Sequence, residues 1–413
     1  MHPFTGLATR EDGAVKICCR SHPVGYIQEE SLEEIWNNEN MREVRRKVLN
    51  GERPKECLPC YMLEDQGVQS LRQRHINNVI PESRINLYPY ALDDLKDDYT
   101  MPFEIPTIEI KINNLCNLKC RMCNPVDSTS WKDWDAIEKY YKGDDTFLPD
   151  MVKKLNLKKK PYLGHFENSD KWWSSFDKLL PYFQRVEFAG GEPLMDPHHY
   201  KILDKLSPYG KNIEIKYATN GTMLGIKNDR TIHEYWPKFR SVAVNVSIDG
   251  IEETYEYVRG NGEWQEVVDN IKEMQKITNI SRIVGAVAYQ INNIMVLDKM
   301  IEYFLDDIGI IFYAKSVDHP RVLSAQVLPD ELKKEAIERL EKVKAKVPTF
   351  KMSKNSSKIK EFTYNQIDDI ITYIKATDQN HLWKETINFN HTLDKTRKQL
   401  AFEEVNPEFK KYV

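Results

Sequence analysis

The seven cysteines of this 413-residue chain fall into two groups, and this grouping constrains the fold more than any other feature. Three of them form the pattern Cys116-x3-Cys120-x2-Cys123, and no cysteine follows in the rest of the chain. Cysteine thiolates hold iron–sulfur clusters, and three thiolates leave one iron of a [4Fe-4S] cluster open to another ligand. Catalytic metal sites have such an open position and structural sites lack it. The spacing leaves a structural zinc site as the alternative.

The other four cysteines lie near the N-terminus: Cys18, Cys19, Cys57 and Cys60. Thiols that are clustered in this way indicate metal binding rather than core packing. Between them, Ser31 and Glu34 form a capping box for a helix that we predict to end near Leu49. We therefore predict a small metal-binding module over 1–75, followed by an irregular connector over 76–105.

From residue 106 onward, predicted strands alternate with predicted helices. The predicted strands are Thr107–Ile112, Arg185–Ala189, Ile213–Ala218, Ser241–Ile248, Arg282–Tyr289 and Gly309–Ala314. Such alternation is typical of parallel α/β folds, so 106–320 is predicted to be a partial barrel or a doubly wound sheet. We also predict a helical insertion at 124–184 and a helical C-terminal extension at 321–413. The cysteine triplet follows the first strand, where the βα loops of barrels carry active sites.

Charge and hydropathy exclude several classes of protein. Lys plus Arg number 59 and Asp plus Glu number 63, which gives a net charge of −4, unlike the basic surface of a nucleic-acid binder. No apolar run approaches the roughly 18 residues that span a membrane, and the N-terminus lacks the features of a signal peptide. We expect no nucleic-acid or membrane partner and a cytoplasmic location, where thiols stay reduced.

Further motifs follow the second, third and fourth predicted strands: Gly190-Gly191-Glu192-Pro193, then Thr219-Asn220-Gly221, then Ser247-Ile248-Asp249-Gly250 with Arg259 shortly after. Together with the cysteine triplet, these motifs resemble the radical S-adenosylmethionine (SAM) superfamily over 106–320. The resemblance implies an α/β fold with a partial (β/α)6 TIM-like barrel, and SAM bound at the open iron of the [4Fe-4S] cluster.

The resemblance also implies which residues bind SAM. The backbone of Gly190, Gly191, Glu192 and Pro193 would meet the SAM amino group, and Asn220, Ser247, Asp249 and Arg259 would complete the pocket. Met122 stands where many members carry an aromatic residue near the adenine. For Ser247 and Asp249 a strand-end turn is the alternative, and for Arg259 a surface salt bridge.

The N-terminal segment is similar to the auxiliary-cluster module called SPASM, or twitch in its shortened form. The similarity rests on Gly13-x-Val15-x-x-Cys18, on Ser31-Leu32-Glu33-Glu34-Ile35-Trp36 and on Cys57-x-x-Cys60. It implies a second [4Fe-4S] cluster held by Cys18, Cys57 and Cys60, with Cys19 or a histidine as fourth ligand. In this chain the module precedes the barrel, whereas it usually follows. A structural zinc knuckle is the alternative.

Three functions remain open at this point. A radical SAM enzyme cleaves SAM to a 5′-deoxyadenosyl radical, and a second cluster favours net oxidation or cross-linking of a peptide or protein side chain. The second possibility is a small-molecule substrate such as a sugar or nucleotide, and the third is a zinc-binding interaction protein without catalysis. Either enzyme would take electrons from a flavodoxin- or ferredoxin-type protein. No barrel cysteine is spare to return a hydrogen atom, although Cys19 could do so if it holds no metal.

Overall fold

The computed structural model describes residues 2–70, 72–73, 94–141, 148–226, 229–351 and 356–413. Within these ranges a nine-stranded sheet runs in the order β11-β10-β9-β6-β5-β4-β1-β2-β3. Its strands are β1 Gly6–Thr9, β2 Ala14–Lys16, β3 Pro23–Tyr26, β4 Thr107–Lys111, β5 Arg185–Ala189, β6 Glu214–Thr219, β9 Ser241–Ser247, β10 Ile280–Tyr289 and β11 Ile311–Ser316. A separate short hairpin joins β7 Gly225–Ile226 to β8 Arg230–Thr231.

The six barrel strands β4, β5, β6, β9, β10 and β11 pair in parallel, each with the next in this order. This arrangement confirms the predicted α/β class. All six barrel strands were predicted, and β5 has the predicted bounds. The last strand begins two residues later than predicted, because a π-helical turn ends at Asp307 and Gly309 adopts a φ of +71°.

Helices cover the sheet and form the layers around it. They are α1 His2–Thr5, α2 Leu32–Asn37, α3 Glu39–Leu49, α4 Leu58–Asp65, α5 Trp134–Ile137, α6 Leu148–Lys154, α7 Asp170–Leu179, α8 Pro197–Leu206, α9 Ile232–Tyr235, α10 Glu252–Val258, α11 Trp264–Gln275, α12 Leu297–Glu302, α13 Asp330–Lys346, α14 Ser356–Ala376, α15 Trp383–Arg397 and α16 Phe402–Val405. Three of them, α5 to α7, lie in the predicted insertion, and α13 to α16 make the C-terminal extension helical. No helix of the described ranges is both long and apolar enough to cross a membrane.

The two faces of the barrel sheet differ in chemistry. In β4, Ile108 and Ile110 are almost fully buried, whereas Glu109 between them points to the other face, as strand alternation requires. Glu109 interacts electrostatically with Lys315 on β11, although five strand spacings of a flat sheet would span about 24 Å. The sheet therefore curves into a partial barrel whose concave face carries charged side chains.

The N-terminal segment is continuous with the barrel sheet. Strand β1 pairs in parallel with β4, with Gly6 opposite Thr107 and Ala8 opposite Glu109. The Thr107 hydroxyl donates to the carbonyl of Thr5 at 2.8 Å. Strands β2 and β3 then add antiparallel to β1. The predicted module over 1–75 thus extends the sheet at the edge where the barrel strands begin.

The helix predicted from Ser31 to Leu49 is two helices. The capping box is confirmed, because the Ser31 hydroxyl accepts from the backbone of Glu34, and the Glu34 carboxylate accepts from the backbone of Ser31. Asn38 interrupts the helix with an extended backbone (φ −68°, ψ 170°) and its side chain accepts from the Met41 N–H at 3.0 Å. Asparagine is a preferred N-cap, so it ends α2 and begins α3.

The predicted connector 76–105 lies outside the described residues up to position 93. Its last part packs on α2. The Trp36 indole donates to the carbonyl of Pro102 at 2.8 Å, and the Asn37 amide donates to the carbonyl of Met101 at 2.7 Å.

Candidate functional site

The three barrel cysteines lie in a loop that the start of the insertion holds in place. The Ser130 hydroxyl donates to the carbonyl of Cys116, and the Trp131 indole donates to the carbonyl of Cys120, both at 2.7 Å. The Cys123 N–H donates to the same Cys120 carbonyl at 3.0 Å. These bonds fix the backbone of the loop and leave the three thiols free to bind a ligand.

The chemistry of these thiols suits a metal centre. Burial raises the pKa of Cys116 to about 12 and raises the pKa of Cys120 and Cys123 as well, so a stable thiolate needs nearby positive charge. The Leu118 N–H donates to the Cys116 sulfur at 3.4 Å, and Arg259 Nη1 donates to the Cys120 sulfur at 3.5 Å. Both contacts favour a thiolate.

The spacing of the thiols fits a cluster better than one ion. Among the described residues, no three cysteine sulfurs all lie within 4.8 Å of one another. A tetrahedral zinc ion with bonds of about 2.3 Å holds its sulfurs about 3.8 Å apart. The three barrel thiols are therefore not arranged as the ligands of a single zinc ion.

The Gly190–Pro193 loop lies directly against the chain that leads into the cysteine loop. The Gly191 N–H donates to the carbonyl of Asn113 at 3.2 Å, and the Glu192 N–H donates to that of Leu115 at 2.7 Å. Gly190 has a φ of +117°, and a Cβ added at Gly191 would collide with the Leu115 carbonyl. Only glycine permits this approach, so the loop packs directly against the backbone that leads to Cys116.

Glu192 joins the loops that follow β5 and β6. Its carboxylate is almost fully buried and accepts from the Thr219 hydroxyl at 2.8 Å and from the Asn220 N–H at 2.6 Å. Burial raises the pKa of Glu192 to about 7. Both carboxylate oxygens therefore bind protein groups, and a contact with the SAM ammonium stays a prediction.

Asn220 lies beside the first cysteine. Its side-chain Nδ2 donates to the side-chain Oδ1 of Asn117 at 2.8 Å and lies 4.0 Å from the Cys116 sulfur. Its side-chain Oδ1 accepts from the Thr222 N–H at 2.9 Å. Asn220 thereby connects the loop after β6 to the cysteine loop.

Asp249 and Arg259 form a buried ion pair rather than a surface salt bridge. Asp249 Oδ2 lies 2.6 Å from Arg259 Nη2, and its other oxygen accepts from the Ala288 N–H at 2.6 Å. Burial raises the pKa of Asp249 although Arg259 opposes this shift. Ser247 ends β9 and is half-buried, and Met122 is half-buried against the core.

The four N-terminal cysteines differ in the charged groups that surround them. Cys18 interacts electrostatically with Cys60, and Cys57 interacts with both; burial raises the pKa of Cys18 and raises that of Cys57 to about 11. Burial also raises the pKa of Cys19 to about 12, but there the charges that act next most strongly are Glu109 and Lys315 of the concave face. The assignment of Cys19 as fourth ligand stays a prediction.

Several site residues had no distinctive sequence signal. Glu167 in the insertion lies beside Asp196 and His198 after the Gly190–Pro193 loop, with ligand atoms within 4.8 Å of one another. The Asn113 amide donates to Glu167 at 2.7 Å and to Asp196 at 2.9 Å. The amide thus connects both carboxylates to the end of β4. Nothing local in the sequence relates the insertion to this position.

The concave face was also missed, although strand alternation could have revealed it. Glu187 lies opposite Glu109 on one side and Lys216 on the other, and the Lys216 ammonium contacts the Glu187 carboxylate at 2.8 Å. Lys315 is exposed on this face. An α/β barrel that carries acids and lysines on its concave face, next to a thiol cluster at the strand ends, defines a cofactor-dependent enzyme of the partial-barrel type.

Comparison with known proteins specifies the class. The family model described as "Radical SAM superfamily" matches residues 110–286, and the model described as "Iron-sulfur cluster-binding domain", SPASM, matches residues 1–61. The chain belongs to the radical SAM superfamily and carries a SPASM domain at its N-terminus. The cofactors of this class are a [4Fe-4S] cluster with SAM and an auxiliary iron–sulfur cluster.

Solved structures that resemble this one are distant. Streptococcus suis SuiB bound to SAM is 12% identical with a TM-score of 0.36, covering 60% of this chain and 46% of SuiB. SuiB bound to its precursor peptide SuiA is 11% identical with a TM-score of 0.32, covering 90% of this chain and 57% of SuiB. TYW1 with a lysine–pyruvate adduct is 15% identical with a TM-score of 0.29, covering 58% of this chain and 71% of TYW1. The chain thus spans about half the length of SuiB, and no curated protein matches it.

Proposed function

We propose that this chain is a radical SAM oxidoreductase that oxidises or cross-links a side chain of a peptide or protein. The observation that carries the proposal is the convergence of the cysteine loop, the Gly190–Pro193 loop and the Asp249–Arg259 pair at the same ends of neighbouring strands. When bound, the cluster and SAM supply the carbon radical that removes a hydrogen atom from the substrate.

The protein's own residues would hold and orient these groups. Cys116, Cys120 and Cys123 would supply three thiolates and leave one iron open for SAM. The backbone of Gly190 and Gly191 would bind the amino group, since neither residue carries a side chain that would obstruct it.

Four further side chains would complete the SAM pocket. Arg259, which Asp249 holds in place, would bind a carboxylate, and its Nε, which has no hydrogen-bond partner among the described residues, supports that role. Asn220 and Ser247 would border the ribose, and Met122 would pack near the adenine.

The N-terminal cysteines support an oxidative outcome. Cys18, Cys57 and Cys60 would hold the auxiliary cluster, and Cys19 would be its fourth ligand or a free thiol of the cavity. Because Cys19 interacts with concave-face charges, a cluster held by the adjacent Cys18 would lie beside the substrate and could accept an electron from it. A flavodoxin- or ferredoxin-type protein would supply the initiating electron. A cytoplasmic location belongs to the same proposal, since all seven cysteines are unpaired.

Charges on the concave face support a polar substrate. Glu109 and Glu187 would bind a cationic group, and Lys315 would bind an anionic one. A peptide segment offers both charges near an unactivated carbon. A charged small molecule, such as a sugar or nucleotide derivative, is the second candidate because it would satisfy the same side chains.

The test combines a double variant with two substrate pools. Cys57→Ala/Cys60→Ala should still cleave SAM, measured as 5′-deoxyadenosine, but should form no product from a cell-extract peptide pool, measured as loss of two hydrogens by mass spectrometry. The wild-type protein should form that product. Product from the small-metabolite pool alone would establish the second candidate. Loss of SAM cleavage in a folded variant would contradict the electron-acceptor role.

A further inference from the structure

We propose that Arg397, from the C-terminal helix α15, is a positioning residue whose guanidinium stabilises the negative charge of the cluster held by Cys116, Cys120 and Cys123. This inference rests on the proposed function in taking those three thiols as cluster ligands. It gives the C-terminal extension, which matches neither family model, a direct effect on the reactivity of the barrel site.

Helix α15 is fixed to the cysteine loop by a buried arginine of that loop. Arg121, between Cys120 and Cys123, is fully buried and donates through Nη1 to the Asn390 side chain at 3.1 Å. Its Nη2 forms an ion pair with Asp394. Because both partners lie on α15, the helix keeps a defined position relative to the cluster ligands.

Arg397, at the end of the same helix, returns toward the loop. Its side chain is fully buried, and Nε donates to Asp133 Oδ2 at 2.7 Å. The guanidinium lies 4.9 Å from the centre of the Trp131 ring, and a Cβ added at Gly260 would lie 3.4 Å from Nη1. Arg397 also interacts electrostatically with Cys120. The Arg397 guanidinium therefore lies between the insertion and Cys120, the second of the three cluster ligands.

The outer nitrogens of Arg397 are unsatisfied. Neither Nη1 nor Nη2 has a hydrogen-bond partner in the part of the chain that the structure describes. Burial lowers the pKa of Arg397, and Arg121 also opposes the charged form, while Asp133 favours it. A buried cation of this kind is costly unless a negative charge compensates it. Three thiolates around a [4Fe-4S] core carry a net negative charge that increases on reduction.

Arg259 does not fill this role, although it also contacts Cys120. Both arginines pair with one carboxylate, Arg259 with Asp249 at 2.6 Å and Arg397 with Asp133 at 2.7 Å. The two differ in their outer nitrogens: Arg259 uses both, on Asp249 and on the Cys120 sulfur, whereas those of Arg397 have no hydrogen-bond partner among the described residues. Since charge near an iron–sulfur cluster sets its reduction potential, Arg397 should make the cluster easier to reduce.

The test is an EPR-monitored redox titration of the anaerobically purified holoprotein with Arg397→Gln, Arg397→Lys and Asp133→Asn. Arg397→Gln should lower the reduced-to-oxidised ratio of the SAM-binding cluster about tenfold at a fixed potential, a shift of about 59 mV for one electron. Arg397→Lys should stay close to wild type. Asp133→Asn, which removes the negative charge beside Arg397, should raise the reduced-to-oxidised ratio.

These variants separate charge from structural damage. Damage to the loop would move both Arg397→Gln and Asp133→Asn in the same direction or lower the iron content of both, and would overturn the inference. An unchanged potential in Arg397→Gln with full iron content would also overturn it. Should Arg397→Gln fail to fold, a raised reduced-to-oxidised ratio in Asp133→Asn with an unchanged ratio in Arg397→Lys would support the inference, and an unchanged or lowered ratio in Asp133→Asn would overturn it. Wild-type protein without iron would instead refute the proposed function.

Discussion

Asp249 and Arg259 form an ion pair of 2.6 Å inside the protein, and the same arginine reaches the sulfur of Cys120 at 3.5 Å. Asp249 follows the fourth barrel strand and thus holds in place Arg259, which contacts the cysteine loop after the first barrel strand. With Arg259 as the proposed SAM contact, this relationship would connect SAM binding to the cluster site through one side chain.

Asp249→Asn should leave the Arg259 guanidinium buried without its charge partner. Removing one member of a buried pair costs about 3 kcal/mol of unfolding free energy, and SAM affinity should fall at least tenfold if Arg259 binds the SAM carboxylate. Denaturant unfolding and equilibrium binding measure the two effects. The control is Asp269→Asn, whose pair with Lys272 is exposed and worth less than about 1 kcal/mol. Equal stability of the two variants would refute the role of the pair.

Gly191→Ala should abolish SAM binding while the cysteine loop still incorporates iron. The added methyl group would collide with the Leu115 carbonyl and displace the backbone edge that the SAM amino group needs. Isothermal titration with SAM measures the loss. Gly309→Ala is the matched control, because no atom lies within 4 Å of its added Cβ and only its φ of +71° is strained, at about 1–2 kcal/mol. Unchanged SAM affinity in Gly191→Ala would contradict the assignment.

Single substitutions at the adjacent cysteines should differ in their effect on iron content. Cys18→Ala should lose about half of the iron, because Cys18 lies with Cys57 and Cys60, and each [4Fe-4S] cluster holds half of the total. Cys19→Ala should retain both clusters if the thiol stays in the cavity. Anaerobic iron and sulfide analysis distinguishes them. Loss of iron in Cys19→Ala alone would identify Cys19 as the ligand.

His199 should make the fold sensitive to acid. Burial lowers its pKa to about 3, whereas the unfolded chain has a histidine pKa near 6.5. As the pH falls below 6.5, the unfolded state gains a proton that the folded state excludes, so this group removes about 1.4 kcal/mol of unfolding free energy per pH unit. The stabilisation is complete above pH 6.5 and is lost as the pH falls toward 3.

The comparison of His199→Gln with wild type tests this pH dependence of the unfolding free energy. The stability difference between them should shrink by about 2 kcal/mol from pH 6.5 to pH 5, measured by denaturant unfolding. His165→Gln is the control, since this histidine is exposed. A difference that does not change with pH would show that the pKa of His199 is the same in the folded protein as in the unfolded chain.

The sequence predicted the local parts of this fold well. The bounds of β5 and the Ser31–Glu34 capping box are correct because hydrophobic runs and caps are short-range signals. The break at Asn38 was missed, since an asparagine inside a helical pattern does not by itself show an extended backbone.

Contacts between residues far apart in the sequence could not be predicted in this way. The pairing of β1 with β4 joins residues about one hundred positions apart, and Arg121 meets Asp394 across most of the chain. Neither contact leaves a periodic pattern in the sequence. The motif residues after each strand were found because parallel strands bring their carboxyl ends together, whereas Arg397 lies in a helix that no motif marks.

The measurement that tests the central claim most directly is the EPR spectrum of the reduced, anaerobically purified protein with and without SAM. We predict a [4Fe-4S] signal that changes on addition of SAM, because one iron of the cluster at Cys116, Cys120 and Cys123 is open to it. In the Cys123→Ala variant this SAM-dependent change should disappear while the auxiliary-cluster signal remains. Protein that contains zinc without iron, or an iron signal indifferent to SAM, would contradict the account.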